Sequence, residues 1–221
     1  MMAETSDNKQ NSGSSISGIL ILEGIAIFIG LPLVEYWEVN LLPKLVLLVL
    51  VAVYCGYMLW HDPTFGRGLF RRSDDTQISK TIVLRLLIIA PGLFGLTWFL
   101  HPEYLFAFPI ERPWIWMLVM VLYPFFSALP QEFIYRTFFF HRYKDFFYFK
   151  NSDILLSALV FSFLHIVYGN WVAITLSFGG GILFGMTYKR TQSLFWVTIE
   201  HVIYGWLIFT LGLGRYFFEG F

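Results

Sequence analysis

The chain has 221 residues with 15 basic and 15 acidic side chains; 14% of its residues are charged and 57% are hydrophobic. Soluble domains carry about 25% charged residues, so this composition excludes an ordinary water-soluble domain. The zero net charge gives no general electrostatic attraction for nucleic acid, and none is expected as a partner. The single cysteine, Cys55, excludes an intrachain disulfide.

The predicted elements begin with a disordered polar tail over residues 1–15, followed by a single membrane domain over residues 16–221. Runs of about 20 apolar residues predict membrane-spanning helices. The chain offers seven such runs, at residues 16–34, 42–60, 81–100, 114–140, 152–169, 171–188 and 193–213. Glycines 179–181 and Gly185, all in the sixth run, predict close helix packing. The predicted fold is therefore an all-α, polytopic membrane bundle of about seven transmembrane helices.

The basic residues between the spans predict the orientation of the bundle. With the N-terminus in the cytoplasm, the inner segments hold ten Lys and Arg residues and the outer segments hold three. Seven spans then place the C-terminus outside. The compact size favours a bacterial cytoplasmic (inner) membrane, with the lipid bilayer as the immediate surroundings.

Seven ionisable side chains lie within the predicted spans, where a charge costs about 2.5–3.5 kcal/mol at the bilayer centre. Arg85 lies four residues from the start of its span and is expected to snorkel to the inner interface. Glu23 lies in mid-helix and is expected either to pair with Arg85 or to be protonated. Glu200 points about 100° away from its neighbour His201 and is expected to be structural. The other three are Glu132, Arg136 and His165.

Glu132 and Arg136 are spaced i, i+4 and share a helix face. They form either a pair that neutralises its own insertion cost or one wall of a polar site. At 1.5 Å per residue, Glu132 lies roughly 13 Å from the inner end of its span, His165 roughly 20 Å and His201 roughly 12 Å. Three helices thus bring a carboxylate and two imidazoles into one slab of the membrane.

Six residues in chain order resemble the motifs of a known family: Gln131, Glu132, Arg136, Phe161, His165 and His201. The family is that of the CPBP intramembrane proteases (CAAX protease and bacteriocin-processing enzymes, also called ABI), whose pattern is EExxxR, FxxxH and HxxxN. The resemblance covers about residues 114–213, the expected catalytic core. It implies an intramembrane endopeptidase that hydrolyses a peptide bond of a membrane-associated protein or peptide with an activated water.

The resemblance also implies roles for these residues: a general base, a Glu–Arg pair, a histidine that works with the base or holds the water, and a His–Asn pair that stabilises the oxyanion. By position these roles fall on Gln131, on Glu132 with Arg136, on His165, and on His201 with Gly205. Two positions depart from the pattern, because the amide of Gln131 cannot accept a proton and Gly205 has no side-chain donor. Losing one such donor typically lowers the rate about 10²–10³-fold. Tyr135 and Tyr204 are hydroxyl donors that could replace the missing asparagine.

Three hypotheses would restore the chemistry despite the glutamine. Glu132 could be the base, although its pairing with Arg136 weakens it. His165 could be the base, with Gln131 orienting the water. Alternatively, His165, His201 and Glu132 could bind zinc as a His₂Glu site with an open position for water. The family is associated with both metal-dependent and metal-free mechanisms, and the sequence leaves both open.

The two departures also leave other functions open. A catalytically impaired CPBP-like scaffold or assembly factor would keep the fold without the base. A small transporter or proton relay is the third hypothesis, since intramembrane Glu and His also mark ion pathways, but we find no internal repeat of the kind common in transporters. A prenylated CAAX protein, a bacteriocin precursor and a protein with a sorting signal are all compatible with the family as substrates.

Overall fold

The computed structural model of the chain describes residues 18–37, 43–66, 68–70 and 76–218. The predicted tail, residues 1–15, lies outside these residues. The described part is helical and contains no strand. Its eight helices are α1 (Gly18–Tyr36), α2 (Lys44–Trp60), α3 (Thr76–Leu100), α4 (Ala107–Glu111), α5 (Pro113–Arg142), α6 (Ser152–Tyr168), α7 (Trp171–Thr191) and α8 (Leu194–Thr210).

Seven of the described helices coincide with the seven predicted spans. By length and composition, α1, α3, α5 and α7 are long and apolar enough to cross a membrane, whereas α2, α6 and α8 are shorter apolar helices. At 1.5 Å per residue, a helix of 17 residues is roughly 25 Å long, slightly shorter than the hydrocarbon core of a typical bilayer. The all-α membrane bundle predicted from the composition is confirmed.

Helix α5 is the least regular of these helices. Two π-helical turns, Pro124–Ala128 and Phe133–Phe138, interrupt it. Proline has no N–H, so the first residue of the first turn leaves the carbonyl of Met120 without its usual donor. The indole Nε1 of Trp206 in α8 donates to that carbonyl at 3.0 Å. Such π-bulges are frequent at functional sites, and the four residues between the two turns include the QE motif.

Helix α1 packs on α5 through the aromatic ring of Phe28. The centroid of that ring lies 5.4 Å from that of Tyr135 and 5.3 Å from that of Phe139, both in edge-to-face contact. Within α1 the buried residues are Phe28, Pro32 and Glu35. Their spacing of four and three residues places them on one helix face. Glu35 therefore lies on the face that α1 turns toward the bundle.

Close packing of α6 on α7 depends on two glycines, as the glycine run predicts. A Cβ on Gly181 would lie 2.9 Å from Cα of Ala158, and one on Gly185 would lie 3.1 Å from Cγ2 of Ile154. Gly179, on another face, would meet nothing within 4 Å. The first two glycines thus allow the approach that brings the α6 motif residues to their places.

Two expectations about charges in the spans are wrong. Arg85 does not snorkel: its side chain is 18% exposed, and its Nη1 donates at 2.9 Å to Oε1 of Glu200 and at 2.9 Å to the hydroxyl of Thr187. A fully buried carboxylate needs a cation nearby, and this need outweighs access to the interface. Glu23 pairs with Arg142 at 3.0 Å rather than with Arg85. Both partners come from distant parts of the chain.

Candidate active site

The centre of the candidate site is a carboxylate of α5 hydrogen-bonded to an imidazole of α8. Oε1 of Glu132 lies 2.7 Å from Nδ1 of His201, and Glu132 is 0% exposed. An ionised carboxylate can only accept, so Nδ1 carries the proton and Nε2 is left for other chemistry. A carboxylate that fixes the tautomer of an imidazole and stabilises its charged form is also the arrangement found in hydrolytic triads.

The guanidinium of Arg136 holds the other side of this carboxylate. Its Nε lies 3.2 Å from Oε2 of Glu132, and its Nη1 donates to the carbonyl of Tyr135 at 3.2 Å and to the hydroxyl of Ser157. The guanidinium carbon lies 5.0 Å from the ring centroid of Phe161, within cation–π range. The buried cation is therefore anchored to α5, to α6 and to the carboxylate at once.

His165 lies in the 3₁₀ turn His165–Tyr168 that ends α6. Its Nδ1 lies 2.8 Å from the carbonyl of Phe161, and because a carbonyl can only accept, Nδ1 must carry the proton. Nε2 of the neutral ring is therefore an acceptor. The ring centroid of Phe161 lies 4.9 Å from that of His165 and 5.7 Å from that of His201. The phenylalanine of the FxxxH pattern thus touches both imidazoles.

Gln131, at the position of the family's base, faces a cavity. Its Nε2 donates to the hydroxyl of Ser127 at 2.9 Å, and its Oε1 is buried with no hydrogen-bond partner among the described residues. The cavity has a volume of about 90 Å³, and His165, Tyr135 and Glu35 also line it. This volume accommodates a few waters next to polar groups. The amide of Gln131 thus lies beside a space large enough for water, at the position where the family pattern has a carboxylate.

Tyr123 occupies the space left by the glycine at the family's asparagine position. A Cβ on Gly205 would overlap Cε1, Cζ and Oη of Tyr123, each well under 3.0 Å away, so no residue larger than glycine fits beside that ring. From bond lengths, the amide atoms of an asparagine lie about 2.4 Å from their own Cβ. Oη of Tyr123 lies at about the same distance from the position of a Cβ on Gly205. Gly205 follows His201 by one helical turn, and the ring centroid of Tyr123 is 5.9 Å from that of His201.

Two aromatic residues complete the surroundings of His201. Phe184 of α7 stacks on its imidazole with centroids 4.5 Å apart and an angle of 18° between the planes. Phe184 carries no sequence signal beyond its hydrophobicity. Tyr204 stacks on the same phenylalanine at 5.9 Å, but its hydroxyl donates to Oε1 of Glu200 at 3.0 Å. That hydroxyl therefore belongs to the Arg85 cluster, while Tyr135 lies on the cavity.

The predicted zinc ligands do not form a metal-binding group in the described part of the chain, where no three His, Cys, Asp or Glu side chains are placed to hold a metal ion. One oxygen of Glu132 accepts from His201, and the other lies beside Arg136. Nδ1 of His165 is hydrogen-bonded to the carbonyl of Phe161. With both of its oxygens engaged, Glu132 does not fit as a zinc ligand in this arrangement, whereas Nε2 of each histidine is left open. The mechanism proposed below is written without a metal. Metal analysis of the purified protein tests the zinc hypothesis directly.

A helical membrane bundle that buries a carboxylate, a guanidinium and two imidazoles, with the imidazole of His165 lining a cavity, carries the marks of a functional intramembrane site. Residues 110–207 match the family model described as Rce1-like, type II CAAX prenyl endopeptidase Rce1-like. The match confirms the resemblance to the CPBP intramembrane proteases and supports a CAAX-protease type of function. No curated protein and no solved structure matches the chain. The matched segment includes Tyr123 and Gly205 as well as the motif residues, whereas α1 and α2 lie outside it.

Proposed function

We propose that the chain is an intramembrane endopeptidase of the CAAX-protease type, which hydrolyses a peptide bond of a membrane-associated protein or peptide with an activated water. The observation that carries this proposal is the hydrogen bond of 2.7 Å between Glu132 and His201, two side chains buried in the membrane region 69 residues apart in sequence. Stability alone does not account for such a pair, since buried ionic groups contribute little net stability. As part of a hydrolytic site, the pair holds an imidazole ready to stabilise negative charge.

The proposed oxyanion site consists of His201 and Tyr123. When the imidazole is protonated, the carboxylate of Glu132 balances its charge, and Nε2–H becomes a donor to the oxygen of the tetrahedral intermediate. The Tyr123 hydroxyl supplies a second donor from the place that an asparagine side chain at residue 205 would occupy. Arg136 does not touch the reacting atoms in this mechanism, because it holds Glu132 in position.

The attacking water occupies the cavity that His165 and Gln131 line. Nε2 of His165 and Oε1 of Gln131 are both acceptors, so either can orient a water through one of its hydrogens and leave an oxygen lone pair for the scissile carbonyl. The Gln131 amide cannot take the proton that the water loses. The general base must therefore be another group on this cavity.

For the substrate, we propose a prenylated peptide of the CAAX type first, in line with the description of the matched family. The cavity lies near the end of the bundle where α2 begins and α6 ends, because Lys44 and Tyr168 are among its lining residues. Under the predicted orientation, with the N-terminus in the cytoplasm, this end faces outward. Cleavage in vesicles of known orientation, with substrate added on one side at a time, tests which side delivers the peptide.

The proposal is tested with purified protein in liposomes and a set of prenylated CAAX peptides. We expect cleavage by the wild type and a loss of about 10²-fold or more in kcat for His165→Ala and for His201→Ala. His61→Ala, a control at an exposed histidine, should leave the rate unchanged. Undiminished cleavage by the first two variants would contradict the proposal.

A non-catalytic scaffold is the second candidate, and the amide at Gln131 is the observation that favours it. The two candidates differ in what His165→Ala and His201→Ala do in the cell. Full biological activity of a correctly folded double variant would favour the scaffold. Loss of activity together with loss of peptide cleavage would favour the peptidase.

A further inference from the structure

Glu35 of α1 is an unusual carboxylate for a membrane helix. It is 7% exposed, and neither of its oxygens has a hydrogen-bond partner among the described residues. Burying a carboxylate without a partner is costly, and three other glutamates in the spans show the usual solution. Glu23, Glu132 and Glu200 each lie within 3.2 Å of an arginine nitrogen. Stability therefore gives no reason for an acidic residue at position 35.

The position of Glu35 gives a functional reason. Glu35 lines the same cavity of about 90 Å³ as Gln131 and His165, and the last turns of α1 pack on the turn that carries His165. Oε1 of Gln131 is also buried without a partner there. Three unpartnered acceptor atoms, the two carboxylate oxygens of Glu35 and Oε1 of Gln131, thus belong to residues that line one cavity with His165. The cavity accommodates a few waters, and each water can donate two hydrogen bonds to such acceptors.

Lys44 is the obvious structural partner for Glu35, because it lines the same cavity. Its Nζ is directed elsewhere: it lies 3.4 Å from the carbonyl of Val167 and 5.5 Å from the ring centroid of Tyr168. Neither oxygen of Glu35 accepts a hydrogen bond from it. Lys44 therefore does not satisfy the carboxylate of Glu35.

We propose that Glu35 is the general base of this enzyme, so that the carboxylate missing from position 131 on α5 is supplied by α1 across the same cavity. This inference rests on the proposed peptidase function and deepens it. In this assignment the cavity water gives one hydrogen to the carboxylate of Glu35, and His165 or Gln131 accepts the other. The base lies outside the segment that the family model matches, on a helix that the motifs do not include.

The reaction balances with these groups alone. As the water oxygen bonds to the carbonyl carbon, one O–H bond breaks and its proton moves to Glu35. The carbonyl π electrons move to the oxygen, where His201 and Tyr123 stabilise the charge. When the oxyanion collapses, the C–N bond breaks, the leaving nitrogen takes the proton from Glu35, and one water has been consumed without oxidation or reduction.

The deciding experiment removes the carboxylate at position 35 and introduces one at position 131. In liposome assays of the full chain with prenylated CAAX peptides, we expect Glu35→Gln to lower kcat about 10²–10⁴-fold, the usual contribution of a general base, with little change in KM. The double variant Glu35→Gln with Gln131→Glu should recover at least about a tenth of the wild-type kcat, since position 131 borders the same water. Glu111→Gln, the same change at an exposed position, serves as the matched control and should have no effect.

Rescue by the double variant supports the proposal, because a merely structural role of Glu35 would not be restored from another helix. Glu35→Gln is nearly isosteric, and thermal unfolding in detergent shows whether it folds; Glu35→Asp, which keeps the carboxylate, is the second variant and should retain more activity than Glu35→Gln. If Glu35→Gln cleaves at the wild-type rate while His165→Ala does not cleave, the base assignment is wrong and the peptidase proposal stands. If the folded wild type cleaves none of the peptides, both proposals fail.

Discussion

The free energy of unfolding should depend on Glu132 and Arg136 as a pair, so that the loss of either side chain alone is strongly destabilising. Both are 0% exposed, so Glu132→Leu leaves a guanidinium buried without its carboxylate, and Arg136→Met leaves a carboxylate without its guanidinium. Breaking a buried ion pair from one side costs about 3–5 kcal/mol. Each single variant should therefore lose about 3–5 kcal/mol in the free energy of unfolding.

The double variant Glu132→Leu with Arg136→Met should lose much less than the sum of the two. Replacing a buried pair with apolar residues is often neutral or stabilising, and the hydroxyl of Ser157 keeps its hydrogen bond of 2.7 Å to the carbonyl of Tyr135. The remaining cost is the Nδ1–H of His201, which loses its acceptor, at about 1–3 kcal/mol. The coupling energy in a double-mutant cycle should thus be at least about 3 kcal/mol.

The cycle is measured by equilibrium unfolding in mixed detergent micelles, with kcat on the same samples. We expect the double variant to be folded and inactive, because His201 has lost the carboxylate that holds it. Additive losses, with a coupling energy under about 0.5 kcal/mol, would refute the view that Glu132 and Arg136 act as one buried unit. Full activity of the double variant would refute the role given to Glu132.

Three further changes test the surroundings of the site. Tyr123→Phe removes one donor while keeping the ring, so kcat should fall about 10²–10³-fold with stability nearly unchanged; a kcat within threefold of the wild type would exclude the hydroxyl as a donor. Arg85→Met leaves Glu200 buried without a cation and should lower the free energy of unfolding by about 3–5 kcal/mol. The kcat per folded molecule should not change. A variant as stable as the wild type would show that Arg85 and Glu200 are not an ion pair in the membrane. Gly181→Ala should destabilise the bundle by about 1–3 kcal/mol through overpacking. The control Gly179→Ala should not, because a Cβ there meets nothing within 4 Å. Equal shifts in the thermal unfolding of the two variants would contradict the close packing of α6 on α7.

The sequence predicted the spans well because composition alone defines a helix in a membrane. Every predicted span has a helix over nearly the same residues, and Glu132 and His201, placed in one slab from their depths, are hydrogen-bonded. Helix spacing also predicted that Glu200 would point away from His201. These successes share one cause: rise per residue and turn angle are properties of a single helix.

The sequence could not show which helix faces meet. Snorkelling of Arg85 was predicted from its position four residues from the start of its span. Its partner Glu200 is 115 residues away, and the sequence does not pair the two. Tyr123 lies nine residues before Glu132 on an irregular helix, where an ideal 3.6-residue period does not hold through a π-helical turn. Glu35 directly follows the predicted span 16–34, so the pattern of spans does not mark it as an intramembrane residue. The role of each of these residues depends on a contact between helices.

The most direct test of the proposed peptidase is hydrolysis in water enriched in heavy oxygen. The full chain, purified and reconstituted in liposomes, is incubated with prenylated CAAX peptides, and the products are analysed by mass spectrometry. We predict that the wild type yields a shortened peptide with one heavy oxygen in its new carboxyl group, and that His201→Ala yields none. Intact peptides after incubation with the folded wild-type protein, or the same labelled product from His201→Ala, would contradict the assignment of this site as the place where water attacks.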